Sequence, residues 1–293
     1  MSAAFVPAWD TSVVSEYEAR VEPFTGLFVK DLLEPVLKDA KTRDGPLSLL
    51  DVGCGAGCGS LLAAEHGLRV TATDVSQGMV DRTRQRAEEK GLSMECVEAS
   101  GEELTSNDVL KHRLGHYDFC IAAFSLIFFP DPAKGLAEIY QCLSDDGGKV
   151  MLTAWGNKEE TPAFQVFQDA FRAVKPETAD GGKPGRITGS PSVLKSLLEE
   201  ANFQDVEIVG PVSHHLHVKE PEAFYDRFAL TSPKIRGQLA SLDAKERHAV
   251  KEKVLTLAEE RGGGKEDGSI AIPSMAYLAY GTKRSGGGQS NKT

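Results

Sequence analysis

Two acids, Asp51 and Asp74, stand on either side of a run of glycines and carry the clearest chemical signal in the chain. Asp51 closes a short apolar segment, Leu47 to Val52, and Gly53-Cys54-Gly55-Ala56-Gly57-Cys58-Gly59 follows before Ser60 to His66 can begin a helix. A strand that feeds a glycine-rich turn into a helix lets backbone groups approach a ligand closely, because no side chain stands in the way. A dinucleotide site of this kind wants Gly-x-Gly-x-x-Gly/Ala, with a pyrophosphate on the helix N-terminus. Here Gly53-x-Gly55 puts Cys58 in the third position and Gly55-x-Gly57 puts Ser60 there, so neither frame fits. Asp51 separates the cases further, since a carboxylate there repels a pyrophosphate and suits a positively charged ligand. Asp74 lies 21 residues past Gly53, near the distance expected of an acid that accepts hydrogen bonds from ribose hydroxyls. Asp74 or Ser76 can equally cap a helix starting at Gln77, and the two roles are compatible.

The other reactive side chains say less. On an extended segment, His214-His215-x-His217 places His215 and His217 on one face and His214 on the other. Two imidazoles without carboxylates or thiols nearby make a poor metal site, so no metal is expected. The segment reads as a solvated strand edge, with His214 and His215 as the candidates for a general base. Cys54 and Cys58 have no second pair at zinc spacing. The five cysteines, odd in number and spread over strands and the glycine turn, read as reduced thiols rather than a disulfide framework.

Alternating elements must position these groups. Strands are expected at Leu47–Val52, Leu68–Ala72, Met94–Glu98, His116–Phe124, Lys149–Trp155, Asp205–Val209 and Ile270–Thr282. Helices are expected over Gln77–Lys90, Ala133–Leu143, Thr161–Val174, Ser192–Ala201, Pro221–Leu230 and Ala244–Glu260. Before them, apolar residues from Val13 to Leu37 recur at three- and four-residue steps, the mark of one or two amphipathic helices broken near Pro23. Strands and helices in alternation, with motifs at strand ends, indicate an α/β doubly wound sheet. The polar, Gly/Pro-rich stretch 175–191 reads as a long functional or unstructured loop. Residues 1–10 look loosely structured and 285–293 read as a disordered tail.

The run Leu-Asp-Val-Gly-Cys-Gly-Ala-Gly resembles the nucleotide-binding loop of class I S-adenosylmethionine-dependent methyltransferases. Thr-Asp-Val-Ser-Gln-Gly-Met-Val, from Thr73, resembles their second signature, and Tyr117 to Trp155 is similar to small-molecule enzymes related to the quinone-biosynthesis C-methyltransferases. The resemblance covers residues 45–155 well and the rest loosely. It implies a Rossmann-like sheet of seven strands, the last antiparallel, with a helical cap, all in one domain over residues 1–284. Within it, 1–44 would be lid helices, 45–155 the cofactor-binding core, and 156–191 and 211–264 cap segments. S-adenosylmethionine would be the cofactor and S-adenosylhomocysteine the product. Gly53, Cys54 and Gly55 would meet the methionine moiety through backbone atoms, Asp51 would orient that loop or the ammonium, and Asp74 would hold the ribose. Val75 and Met79 would touch adenine, Tyr17 and Thr25 would close over the crevice, and Ala123 would sit at the carboxyl end of the fourth strand. Ser100-Gly101-Glu102 stands where the family carries Asp-Ala-Glu, so a hydroxyl replaces the acid that usually meets the adenine amino group. Phe124, Phe128 and Trp155 are candidates for a substrate pocket.

Composition narrows the acceptor. With 33 basic and 43 acidic residues in 293, the net charge is −10, which argues against nucleic acid as the main partner. No apolar run approaches a membrane span. The N-terminus has neither a basic region nor a long apolar run, so a cytoplasmic protein is expected. The function expected is therefore in-line methyl transfer to a small neutral or cationic acceptor through an oxygen, nitrogen or carbon nucleophile, mainly by proximity and desolvation. A non-catalytic S-adenosylmethionine-binding subunit and an NAD-dependent oxidoreductase are the alternatives.

Overall fold

The computed structural model describes residues 11–40, 45–176, 190–263 and 267–284. The segments 1–10 and 285–293, and most of the loop expected at 175–191, lie outside the described residues. Seven strands form one sheet: β1 (Ser48–Val52), β2 (Arg69–Asp74), β3 (Glu95–Glu98), β4 (Phe119–Ala123), β5 (Asp146–Trp155), β6 (Gln204–Val218) and β7 (Ile270–Arg284). Their order is β3-β2-β1-β4-β5-β7-β6. β1 to β5 run parallel, and β7 runs antiparallel to both β5 and β6. Every residue of β1 is buried, as expected of a central parallel strand covered on both faces.

Ten helices are described: α1 (Thr11–Arg20), α2 (Glu22–Ala40), α3 (Cys58–Glu65), α4 (Gln77–Glu89), α5 (Pro132–Cys142), α6 (Pro162–Val174), α7 (Pro191–Glu200), α8 (Pro221–Thr231), α9 (Pro233–Ala240) and α10 (Ala244–Gly262). Local signals fix several of their ends. The Asp131 carboxylate accepts from the amides of Ala133 and Lys134, with Pro132 in the first turn. Asp243 and Glu246 form a reciprocal capping box at the start of α10. Pro23 lies in the first turn of α2, where its missing N–H costs nothing, and the chain breaks at Val21 just before it.

The cap departs from the expected boundaries. Residues 211–218 belong to the sheet, because β6 runs on to Val218 and pairs with Ile270 to Ala276 of β7. Gly210-Pro211 looks like a strand terminator in sequence. A register irregularity between Val209 and Val212 absorbs it, and β6 is an edge strand, where proline is tolerated. The long β6–β7 ribbon then carries the cap: Leu216, Ile270 and Ile272 share a buried core with Phe167 and Phe171 of α6, Phe224 of α8 and Val250 of α10. A second core lies under α2 and α3 against β1, β2 and β4, and a third under α5 and α7.

Candidate active site

In an open α/β sheet the ligand crevice lies outside the carboxyl ends of the strands. There the glycine turn bends through three left-handed residues, Gly53, Gly55 and Gly57, with φ of 76°, 57° and 97°. The amides of Gly53 and Cys54 both donate to the Thr73 carbonyl, at 2.8 and 2.9 Å, which fastens the turn to β2. The Gly55 amide donates to Asp74 Oδ2 and the Ser76 amide to Asp74 Oδ1, each at 2.9 Å. Asp74 thus ties the glycine turn to the start of α4. The amides of Gly53, Cys54 and Gly55 are all committed within the protein. What the turn can offer a ligand is carbonyl oxygen and bare Cα surface, which suits a cation better than an anion.

Two buried carboxylates reinforce that polarity. Asp51 is 2% exposed, and its Oδ2 accepts from the Ser60 hydroxyl at 2.6 Å. Burial pushes its carboxyl up to about 7, against the pull of Ser60 and with a further push from the Asp74 charge. Asp74 is pushed up to about 6, again by burial, against the pull of the Ser76, Gly55 and Val75 amides.

A third acid, Glu22, was not legible as a site residue. It sits at the start of α2, 6% exposed, and its Oε1 accepts from the Cys58 amide at 3.0 Å, at the N-terminus of α3. Its other oxygen accepts from Arg86 at 2.6 Å, and Arg86 also donates to the Ala56 carbonyl at 2.6 Å. Burial raises the Glu22 carboxyl, with Arg86 opposing. The helix end where a dinucleotide seats its pyrophosphate is therefore filled by the protein's own carboxylate. Next to it, Arg82 of α4 grips Glu18 of α1 through two bonds of 2.6 and 2.8 Å.

These ion pairs tie α1 and α2 to α4 and to the start of α3. The Tyr17 ring lies against Gly55, where an added Cβ would come within 3.1 Å of it, and burial drives its hydroxyl pKa strongly upward. Tyr17, Thr25, Asp51, Gly53, Cys54, Ala123 and Phe124 line one common cavity of about 20 Å³. That is space for little more than one water molecule. A larger cavity, of about 250 Å³, opens at the opposite ends of β4 and β5 beside Asp39, Asp118 and Asp146, on the side of the sheet away from the glycine turn.

The other sequence-predicted residues follow β2 and β3. Val75 and buried Met79 follow Asp74. Ser100 accepts from the Glu102 amide at 3.2 Å, and Glu102 accepts from the Asp131 amide at 2.5 Å. Phe129 presses its ring onto Gly101, so that a Cβ there would collide with it.

Phe124 and Trp155 stack with ring centroids 4.0 Å apart. Phe28 closes on both edge-on, at 5.7 and 5.3 Å, and Phe24 lies parallel to Trp155 at 5.8 Å. Phe124 holds φ of 54°, unusual for a bulky residue, and its amide donates to the Thr153 hydroxyl at 2.8 Å. Phe128 does not join this cluster. It ends a 3₁₀ turn over Leu126–Phe128 that leaves it 39% exposed.

The histidines separate by face, as strand alternation requires. His214 points inward, its Nε2 2.7 Å from Asp31 and its ring edge-on to Phe28 at 4.6 Å. His215 is exposed on the outer face beside His217, away from the aromatic cluster, which removes it as a candidate base. Among the described residues, no cluster of three or more His, Cys, Asp or Glu side chains could hold a metal. No described helix is long and apolar enough to cross a membrane.

Two lifted carboxylates, spent turn amides and a filled helix terminus thus meet at one end of a Rossmann-like sheet. Residues 50–151 match the methyltransferase domain family. The demethylmenaquinone methyltransferase of Bacteroides fragilis is 28% identical over 176 residues, 55% of this chain and 69% of that protein. The malonyl-[acyl-carrier protein] O-methyltransferase of Acetivibrio thermocellus is 30% identical over 146 residues, 49% of this chain and 47% of its own. A crystal structure described as a putative methyltransferase from Bacillus halodurans superposes with a TM-score of 0.54 at 19% identity, covering 87% of this chain and 99% of that one. Residues 50–151 therefore carry a methyltransferase domain, and the relatives it resembles are small-molecule S-adenosylmethionine-dependent methyltransferases.

Proposed function

We propose that the enzyme transfers a methyl group to a small organic acceptor by in-line displacement, with the acceptor lying against the Phe124–Trp155 stack. The observation that carries the reading is the pair of buried acids, Asp51 and Asp74, on a turn whose amides are already spent. Such a site lowers its own electrostatic cost by taking in a cation.

S-adenosylmethionine supplies an electrophilic methyl group whose sulfur leaves as a neutral thioether. In this reading Asp74 accepts from the ribose hydroxyls. The Gly53 turn offers carbonyls to the ammonium, and Asp51 holds the turn from below through Ser60. Val75, Met79 and the Ser100–Glu102 loop border the adenine. Tyr17 and Thr25 close from above and exclude water once the lid has opened to admit the cofactor. Alignment of this kind supplies effective molarities of about 10⁵–10⁸ M, so a dedicated base is not required. Where the acceptor must lose a proton, His214 is the candidate to take it, its ring paired with Asp31 and edge-on to Phe28. The five unpaired cysteines agree with a reducing compartment, and we place the enzyme in the cytoplasm.

The test is calorimetric titration with S-adenosylhomocysteine, followed by a co-crystal. Micromolar binding with Asp74 at the ribose is the expected result. Binding of NAD in its place, or a nucleoside lying elsewhere, would overturn the reading.

A further inference from the structure

One charged group in the cap has no partner. Arg227, in α8, is only 9% exposed, and no carboxylate among the described residues pairs with it. Its guanidinium lies over the face of Phe24, 5.8 Å from the ring centroid, and its nearest charged influence is another cation, Arg20 of the lid. Arg20 already pairs with Glu16. Burial, helped by Arg20, pushes Arg227 down to about 10. Burying an uncompensated charge costs several kcal/mol, and native proteins pair such groups or use them. Phe24, which carries the guanidinium on its face, lies parallel to Trp155, and Trp155 stacks on Phe124 at the cavity wall. The unpaired cation therefore stands at the far end of the aromatic row that begins at the glycine turn.

We propose that the methyl acceptor is an aromatic or conjugated molecule bearing a carboxylate, and that Arg227 holds that carboxylate by a bidentate pair at the cap end of the aromatic row. The carboxylate is the anchor and not the methylated atom, because Arg227 lies over Phe24 and not among the residues that line the cavity at the glycine turn. This reverses the neutral or cationic acceptor expected from acidic and aromatic surroundings. The acids lie at the glycine turn, whereas the acceptor's far end meets one buried arginine. Guanidinium is suited to the role because it is weakly hydrated and matches a carboxylate with two parallel N–H donors. The inference rests on the methyltransferase site proposed above.

Binding of matched probes tests it. Wild-type protein saturated with S-adenosylhomocysteine is titrated with salicylate, indoleacetate and caffeate, and with the primary amide of each. At least one acid is expected to bind tenfold or more tightly than its amide, and Arg227→Gln should abolish that preference while leaving S-adenosylhomocysteine affinity unchanged. Arg227→Met should keep or raise the melting temperature without added acid, since it removes a buried unpaired charge. A preference for the amides, no binding of any acid, or an acid preference surviving in Arg227→Gln overturns the inference. A large fall in melting temperature in Arg227→Met does so too, because it would make the arginine structural. Loss of S-adenosylhomocysteine binding by the wild type is a different outcome: it overturns the underlying site itself.

Discussion

Replacing Asp74 with asparagine isolates the charge of the residue on which the cofactor assignment rests. In the folded chain its two oxygens accept from Gly55 and Ser76, and the proposed site has the carboxylate accept from the ribose as well. Asparagine keeps one oxygen and sets an NH₂ against one of those amides. Hydrogen bonds to a charged group contribute about 1.5–3 kcal/mol. Loss of one such bond to a ribose hydroxyl raises Kd roughly 10- to 150-fold. Stability should move much less, because two terms of similar size oppose. One backbone amide left without an acceptor costs about 1–3 kcal/mol. Against it, the variant no longer buries a carboxylate lifted from 3.8 to about 6, a burden of about 2–3 kcal/mol at pH 8. Calorimetry with S-adenosylhomocysteine and thermal melts on the same preparation separate the two. A Kd within about twofold of wild type, at an unchanged melting temperature, would refute the ribose assignment.

Cofactor affinity should also depend on pH with a definite sign. Asp51 and Asp74 titrate near 7 and 6 in the free protein, and a cation beside them favours their ionised forms, so binding releases protons. Affinity for S-adenosylmethionine is expected to be highest near pH 8, above the two carboxylates and before the ligand's ammonium, at about 8, gives up its charge. It should weaken through pH 7 to 6, approaching tenfold per pH unit for each group that must lose its proton. Calorimetry in two buffers of different ionisation enthalpy counts the protons, and a flat profile with none released contradicts the electrostatic account. The lid latch gives a stability prediction: Arg86→Met strands Glu22 in a buried setting and should cost about 3 kcal/mol in urea unfolding. Glu22→Gln, which retains an acceptor for the Cys58 amide, should cost less, and equal losses would show that the ion pair is not what holds the lid.

The core was readable because its signals are local. Asp51, the glycines and Asp74 fall on one strand-turn-helix-strand unit whose period and punctuation specify its geometry without reference to the rest of the chain. The lid and cap were harder because their contacts are distant in sequence. Glu22 reaches Cys58 and Arg86, 36 and 64 residues away, and in a linear reading it is only an acid in the first turn of a helix. Arg227 reads as one more exposed arginine until Phe24 is seen beneath it. His214 and His215 could be assigned to opposite faces by alternation, but which face was inner depended on α2 bringing Asp31 to β6. Phe128 stays apart from the Phe124–Trp155 cluster for a similar reason, since a short 3₁₀ turn after Phe124 leaves it exposed.

In the proposed site, the helix that carries Thr25 over the nucleoside also carries Phe24, its immediate neighbour in sequence, onto the acceptor's aromatic row. One stiff rod therefore roofs two rooms, and it cannot be raised over one while staying shut over the other. The two guests share a door, so the enzyme should work by a compulsory sequence, with the deeper-seated guest first in and last out. Product-inhibition kinetics would read that order directly.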